Sequence, residues 1–105
     1  MTIAPKKQRK DKGRIELLTT LRALASDEGL FDAFLTDLLT PGEFDEFSMR
    51  WQIVKLLASN IPQREVARRL NVSIATVTRG SRTLRESKKG FSRVLGWREK
   101  KTLTT

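Results

Sequence analysis

The stretch "QREVARRLNVSIATVTRGS", residues 63–81, leaves the chain few ways to fold. Val66 and Leu70 stand four apart, on one face of a helix. Asn71 follows where a tight turn between helices needs positive φ, a conformation Asn accepts better than most residues. Val72 anchors that turn in a core, and Ser73 offers its hydroxyl to an orphan N–H of the next helix. Val77 pins the second helix inward. Ala67 is small where two helices must cross closely. The spacing predicts a helix-turn-helix over about 63–86, with helices at 63–69 and 74–86.

The rest of the chain reads as helix too. Ile15, Leu18, Leu21, Leu24 and Ala25 share one side of a segment over 14–27, which Gly29 interrupts. Phe31, Phe34, Leu35, Leu38 and Leu39 gather in a second over 30–39. "TPGE" then starts a third: Thr40 caps, Pro41 suits the first helical position, and Glu43 suits the positive N-terminus. That helix is predicted from about Gly42 to Ser59. Phe44, Phe47, Trp51, Val54 and Ala58 alternate steps of three and four along it, a near-heptad seam. Ile53, Leu56 and Leu57 widen the seam beyond what one small domain covers, which points to a partner subunit. Asn60, which tolerates the left-handed conformation just past a helix end, and Pro62 after it end the helix. A last amphipathic segment carries Phe91, Val94, Leu95 and Trp97. The expected fold class is all-α, with about six helices.

Charge separates along the chain. Residues 1–14 hold six Lys or Arg against one acid, residues 15–60 three against eight, and residues 61–105 twelve against three, for a net charge of +9. A basic end behind an acidic middle suggests one surface turned to a polyanion. Nucleic acid is the leading partner, and an anionic membrane surface the competitor. No apolar run approaches a membrane span. Residues 1–13 read as a basic, disordered arm, and 14–105 as one all-helical domain. The opening residues lack the apolar core of a secretory signal. With no Cys and no His, the chain has no thiol nucleophile, imidazole base, disulfide or zinc-finger site. No motif organises the remaining carboxylates, Lys, Ser and Thr, so an enzyme is not expected, nor a cofactor or metal site. A cytoplasmic location fits the missing cysteine.

With Val77 inward, Ile74, Ala75 and Thr78 face outward at the start of the second reading helix, with Thr76 beside them. Small side chains there permit close approach to base edges and contact with thymine methyls. Arg64 can reach a guanine edge and Arg68 and Arg69 phosphates. Gln63 and Ser73, which open the two helices, complete the expected DNA-facing set. A plain helical hairpin with a solvated basic face is the bland alternative. A basic RNA- or ribosome-binding protein is another, but the exposed aromatic platform for single-strand stacking is missing.

"LLTPGE", Arg50 with "IV" three residues later, "QRE" and "IATVTRGS" together resemble the Trp repressor family across about residues 38–84. The resemblance implies an intertwined homodimer whose reading heads bind half-sites of a palindromic, double-stranded operator. It implies L-tryptophan as corepressor, held between the core and the second reading helix. By that likeness Arg79 and Thr40 hold the carboxylate, and Arg50 and Arg79 flank the indole. Thr83 lies near the amino group, carbonyls around Leu38 and Leu39 of the other subunit accept from the ammonium, and Val54 and Gly80 belong to the pocket. An arginine does stack on an aromatic face and fork onto a carboxylate, and Arg79 and Thr83 share a helix face. Read without the family, Arg50 snorkels or pairs with Glu46. A regulator of the same fold that ignores ligand, or answers another small molecule, is the alternative function.

The chain departs from the family pattern in places. The turn at Asn60–Pro62 is one residue shorter, and Pro62 replaces a capping Ser or Thr. Ala67 stands where a lysine can meet the operator. Asp37 stands where an apolar residue is common, Thr83 replaces serine, and Arg82 adds charge. Gly80 sits inside a helix, where glycine costs about 1 kcal/mol relative to alanine. The expectation is that a side chain there intrudes on the ligand's space beside Arg79.

Overall fold

A computed structural model describes residues 5–87 and 90–103, the last seven of these by backbone alone. The side chain of Trp97, expected on the last apolar face, lies outside the described residues, as does the start of the basic arm at residues 1–4. Six α-helices and no strands occur among the described residues. They are α1 (Lys6–Leu24), α2 (Glu28–Leu38), α3 (Pro41–Ala58), α4 (Gln63–Leu70), α5 (Ile74–Glu86) and α6 (Gly90–Leu103). No described helix is long and apolar enough to cross a membrane. The contacts divide the chain into two compact units, residues 1–44 and 45–105.

In the first unit α1 packs against α2. Helix α1 starts at Lys6, so residues 6–13 of the expected arm are helical, and all of them are exposed. Asp27 caps α2 by accepting from the Leu30 N–H at 3.1 Å. Thr40 and Glu43 then start α3 with a reciprocal capping box. The Thr40 N–H donates to Glu43 Oε1 at 2.9 Å, and the Glu43 N–H donates to Thr40 Oγ1 at 3.1 Å. The N–H of Thr40, and next its side-chain bond, hold the Glu43 carboxyl below its ordinary pKa. Local chemistry therefore fixes these helices, but α1 and α2 contain no buried residue. Ile15 is 62 % exposed and Leu30 52 % exposed. The predicted apolar faces are half-buried at Leu21, Leu24, Phe31, Phe34 and Leu35 and exposed at Ile15, Leu18 and Leu38.

The second unit has the core. Ile53 of α3, Val66 of α4 and Val77 of α5 are buried together, with Met49, Leu57, Leu70 and Val72 packed around them. Val66, Leu70, Val72 and Val77 thus occupy the inward positions their spacing predicts. Asn60 and Asn71 have φ of 64° and 54°, the positive-φ non-glycine residues of the described chain. Asn71 closes the turn after α4, where the Val72 N–H reaches the Ala67 carbonyl at 3.1 Å. Ser73 caps α5 by accepting from the Thr76 N–H at 3.1 Å. Trp51 stacks on Phe91 at 6.4 Å between centroids, tying α6 to α3.

The predicted α3 seam is enclosed unevenly within the single chain. Val54 is fully buried and Ile53 is the central core residue, whereas Phe47 is 54 % exposed and Ala58 is exposed. The reason lies in where helices cross: α4 and α5 pack onto the Ile53 side of α3.

Candidate nucleic-acid interface and ligand site

The cap at Ser73 and the core contact of Val77 set the rotation of α5. They leave Ile74, Ala75, Thr78 and Arg79 exposed along one side of the helix, with Thr76 partly covered beside Ser73. Ile74 is 49 % exposed at the first position of the helix. The first reading helix is joined to this face. Thr78 Oγ1 lies 3.0 Å from Gln63 Oε1 and 2.9 Å from the Ile74 carbonyl, and its single proton serves one acceptor at a time. Gln63 and Thr78, expected separately at the interface, are therefore brought together. Arg64, Arg68 and Arg69 are exposed on α4.

Glu65 is the residue that sequence reasoning passed over. Arg68 Nε donates to its Oε2 at 2.9 Å, Arg68 Nη2 donates to its Oε1, and Arg69 Nε donates to Oε1 at 2.9 Å. The signal was available, since an acid followed by cations three and four residues on shares their helix face. The Arg68 bonds, then the Arg69 bond, lower the Glu65 carboxyl from its ordinary 4.5 to about 2, and Glu65 in turn raises the Arg68 guanidinium. A lowered carboxyl contributes stability that is complete above its unfolded pKa and disappears as pH falls through the folded one. Glu65→Gln is therefore expected to melt slightly below the wild-type chain at neutral pH. The gap should close between about pH 4.5 and 2, as read by circular dichroism melts across that range.

The residues proposed by resemblance for a ligand fall into two groups. Arg50, Val54, Arg79, Gly80 and Thr83 lie in the second unit. Gly80 is buried, and a Cβ built on it would stand 2.6 Å from Ile53 Cγ2. Helix α5 therefore crosses α3 in close contact at Gly80 and Ile53. Arg79 is the neighbour of Gly80, and Arg50 lies one helical turn before Ile53, so both arginines flank that crossing along the chain. The obstacle to a side chain at position 80 is Ile53, which gives this glycine a packing reason that the sequence did not reveal. Arg50 neither pairs with Glu46 nor stands free: its guanidinium lies over the Phe47 ring, 5.9 Å from the centroid. Thr83 donates its hydroxyl proton to the Arg79 carbonyl at 3.0 Å, which leaves its oxygen as an acceptor. Val54, on the same helix as Arg50, is fully buried beside Ile53.

Leu38, Leu39 and Thr40 lie in the first unit. Helix α2 ends at Leu38 and Leu39 is extended, so the carbonyls of this last turn lack helical donors. Thr40 accepts from Glu43 with its hydroxyl oxygen and keeps its hydroxyl proton for another acceptor. Each group thus offers the kind of bond assigned to it: carbonyl acceptors at Leu38–Leu39, a hydroxyl donor at Thr40, and guanidinium forks at Arg50 and Arg79.

A family model described as Trp repressor protein matches residues 14–99. Several relatives carry the name Trp operon repressor homolog. One from Mannheimia succiniciproducens is 43% identical over 91 residues, 86% of either chain. Another from Actinobacillus succinogenes is 51% identical over 69 residues, 65% of this chain and 67% of its own. A third, from Pasteurella multocida, is 43% identical over 72 residues, 68% and 67% of the two chains.

Proposed function

The chain belongs to the Trp repressor family, a family of DNA-binding regulators and not of enzymes, and on that premise we propose that it is a cytoplasmic, tryptophan-responsive transcriptional repressor. In this reading two copies bind a palindromic operator, and L-tryptophan is the corepressor. The observation that carries it is the double role of α5. Its start exposes Ile74, Ala75 and Thr78, while its middle presses Gly80 against Ile53 of α3. A molecule wedged beside that crossing tilts the whole helix, and with it the reading face. Ligand then raises operator affinity to the extent that it favours the DNA-competent tilt over others.

The dimer reading rests on uncovered apolar surface. Ile15, Leu18, Leu30, Leu38 and Phe47 are all exposed in the single chain. Burying a side chain of this size contributes about 1.5–3 kcal/mol, so a second copy that covers these faces supplies much of the stability one chain lacks. The Trp repressor family is a standard case of helix-turn-helix dimers, whose heads meet successive major grooves about 34 Å apart.

Titration of the protein with L-tryptophan in a calorimeter, beside gel retardation of duplex DNA with and without the amino acid, tests the proposal. The expected result is a measurable heat and retardation that strengthens about tenfold or more when tryptophan is added, in line with common coupling energies. Retardation that ignores tryptophan, with no heat of binding, would falsify the gating and favour a ligand-independent regulator of the same fold. Equal preference for RNA would remove the duplex reading.

A further inference from the structure

Helices α3 and α4 start on the same plan and end up differently wired. Each has a glutamate three residues after its N-cap, Glu43 after Thr40 and Glu65 after Pro62. At α3 the glutamate turns back and accepts the Thr40 N–H. At α4 it has no such donor, because proline carries no N–H, and Pro62 makes no side-chain cap. The Glu65 carboxylate turns forward instead and takes two bonds from Arg68 and one from Arg69. Arg68 and Arg69 are 71% and 48% exposed, against 32% for Glu65. The cations stand outward and the acid lies beneath them, on a helix that also presents Gln63 and Arg64.

We propose that Glu65 is a positioning residue for duplex recognition, which orients Arg68 and Arg69 toward phosphate and cancels part of their charge, so that a fitted duplex is favoured over an arbitrary one. The inference rests on the DNA-binding reading above. Grip on arbitrary DNA follows the free positive charge and the counterions it releases. The three side chains together carry one net positive charge where two free arginines would carry two. The arginines keep unused N–H groups, three on Arg68 and four on Arg69, out of the five each guanidinium offers. Their orientation is set before contact, so a duplex that matches it meets a smaller ordering cost. An arbitrary duplex meets only the reduced charge.

The test compares Glu65→Gln with the wild-type chain, both saturated with L-tryptophan, on a mixed-sequence duplex and on a duplex enriched from a random pool by the wild-type protein. Glu86→Gln, which removes an equal charge from the exposed end of α5, is the control. Glu65→Gln is expected to bind the mixed duplex roughly two- to fivefold more tightly, with a salt slope steeper by about one. The enriched duplex should tighten less, so that the selectivity ratio falls. Glu86→Gln should leave that ratio unchanged. In an Arg68→Gln, Arg69→Gln background the effect of Glu65→Gln on the ratio should vanish. Equal tightening on both duplexes, matched by Glu86→Gln, means bulk charge alone and overturns the proposal. So does an unchanged ratio, or an effect that survives without the arginines. A wild-type chain that retards no duplex overturns the DNA-binding reading itself; one that selects a duplex while Glu65→Gln keeps the ratio overturns only the role of Glu65.

Discussion

Gly80→Val is expected to lower the stability of the chain by about 3 kcal/mol or more and to cost it both ligand and DNA binding. A Cβ at position 80 would lie 2.6 Å from Ile53 Cγ2, about 1 Å inside the ordinary range for two carbons. The methyl it meets is not the free end of a flexible side chain. Ile53 is 2% exposed, and a β-branched residue in a helix has essentially one χ1 rotamer. Helix α5 must lift, which disturbs Val77 and Val66 in the same cluster. Gly80→Ala gains about 1 kcal/mol of helix propensity against about 1–3 kcal/mol of overpacking, so a small net loss is expected. Valine adds two methyls and lower propensity. Ile53→Ala removes the obstructing methyl, so Gly80→Ala should cost less in that background than alone. Ile53→Val keeps the Cγ2 methyl and should give no such relief. Strictly additive denaturation free energies across the Gly80→Ala, Ile53→Ala cycle would remove the close crossing as the reason for this glycine.

The features that were legible in the sequence are those encoded by neighbouring residues. Ser73 capping α5, positive φ at Asn60 and Asn71, and the Thr40–Glu43 start of α3 each depend on a few consecutive positions, and each was expected where it stands. The reading head followed from the same logic, with Val66 and Val77 inward. Gly80 was harder. Its neighbour Ile53 is on another helix, and no local rule links the two positions. The residue that local propensity marked as a cost is where two helices meet. The seam on α3 was legible in part for a related reason. Spacing shows that a helix has an apolar face but not which neighbour covers it, and Phe47 is about half exposed while Ile53 is enclosed. Arg50 shows the same limit, because its partner is the Phe47 ring rather than an acid. Glu65 was legible through its spacing to Arg68 and Arg69, and its forward turn follows from the missing N–H of Pro62.

Arg79→Ala is expected to weaken L-tryptophan binding by about ten- to a hundredfold, the worth of a charge-assisted bond to a carboxylate at about 1.5–3 kcal/mol. The proposed role combines a fork on the carboxylate with a guanidinium plane on the indole, which only arginine supplies. Arg79→Lys keeps the charge and loses both, so it should recover little. Position 79 is exposed and adjoins Thr78 on the reading side, so retardation alone confounds ligand loss with DNA loss. Calorimetry without DNA separates them. The fold should tolerate the change, since Thr83 bonds to the Arg79 backbone carbonyl and not to its side chain. Arg50→Ala is the companion. Its proposed part is stacking alone, worth about 0.5–2 kcal/mol, and its present partner is Phe47, so the loss should be smaller than at Arg79. The order of the two effects is the sharper test, because a pocket elsewhere on the chain would affect neither. If Arg79→Ala binds tryptophan as the wild-type chain does, α5 carries a reading face without a ligand site. The crossing at Gly80 and Ile53 is then a fixed joint and not the point where the amino acid acts.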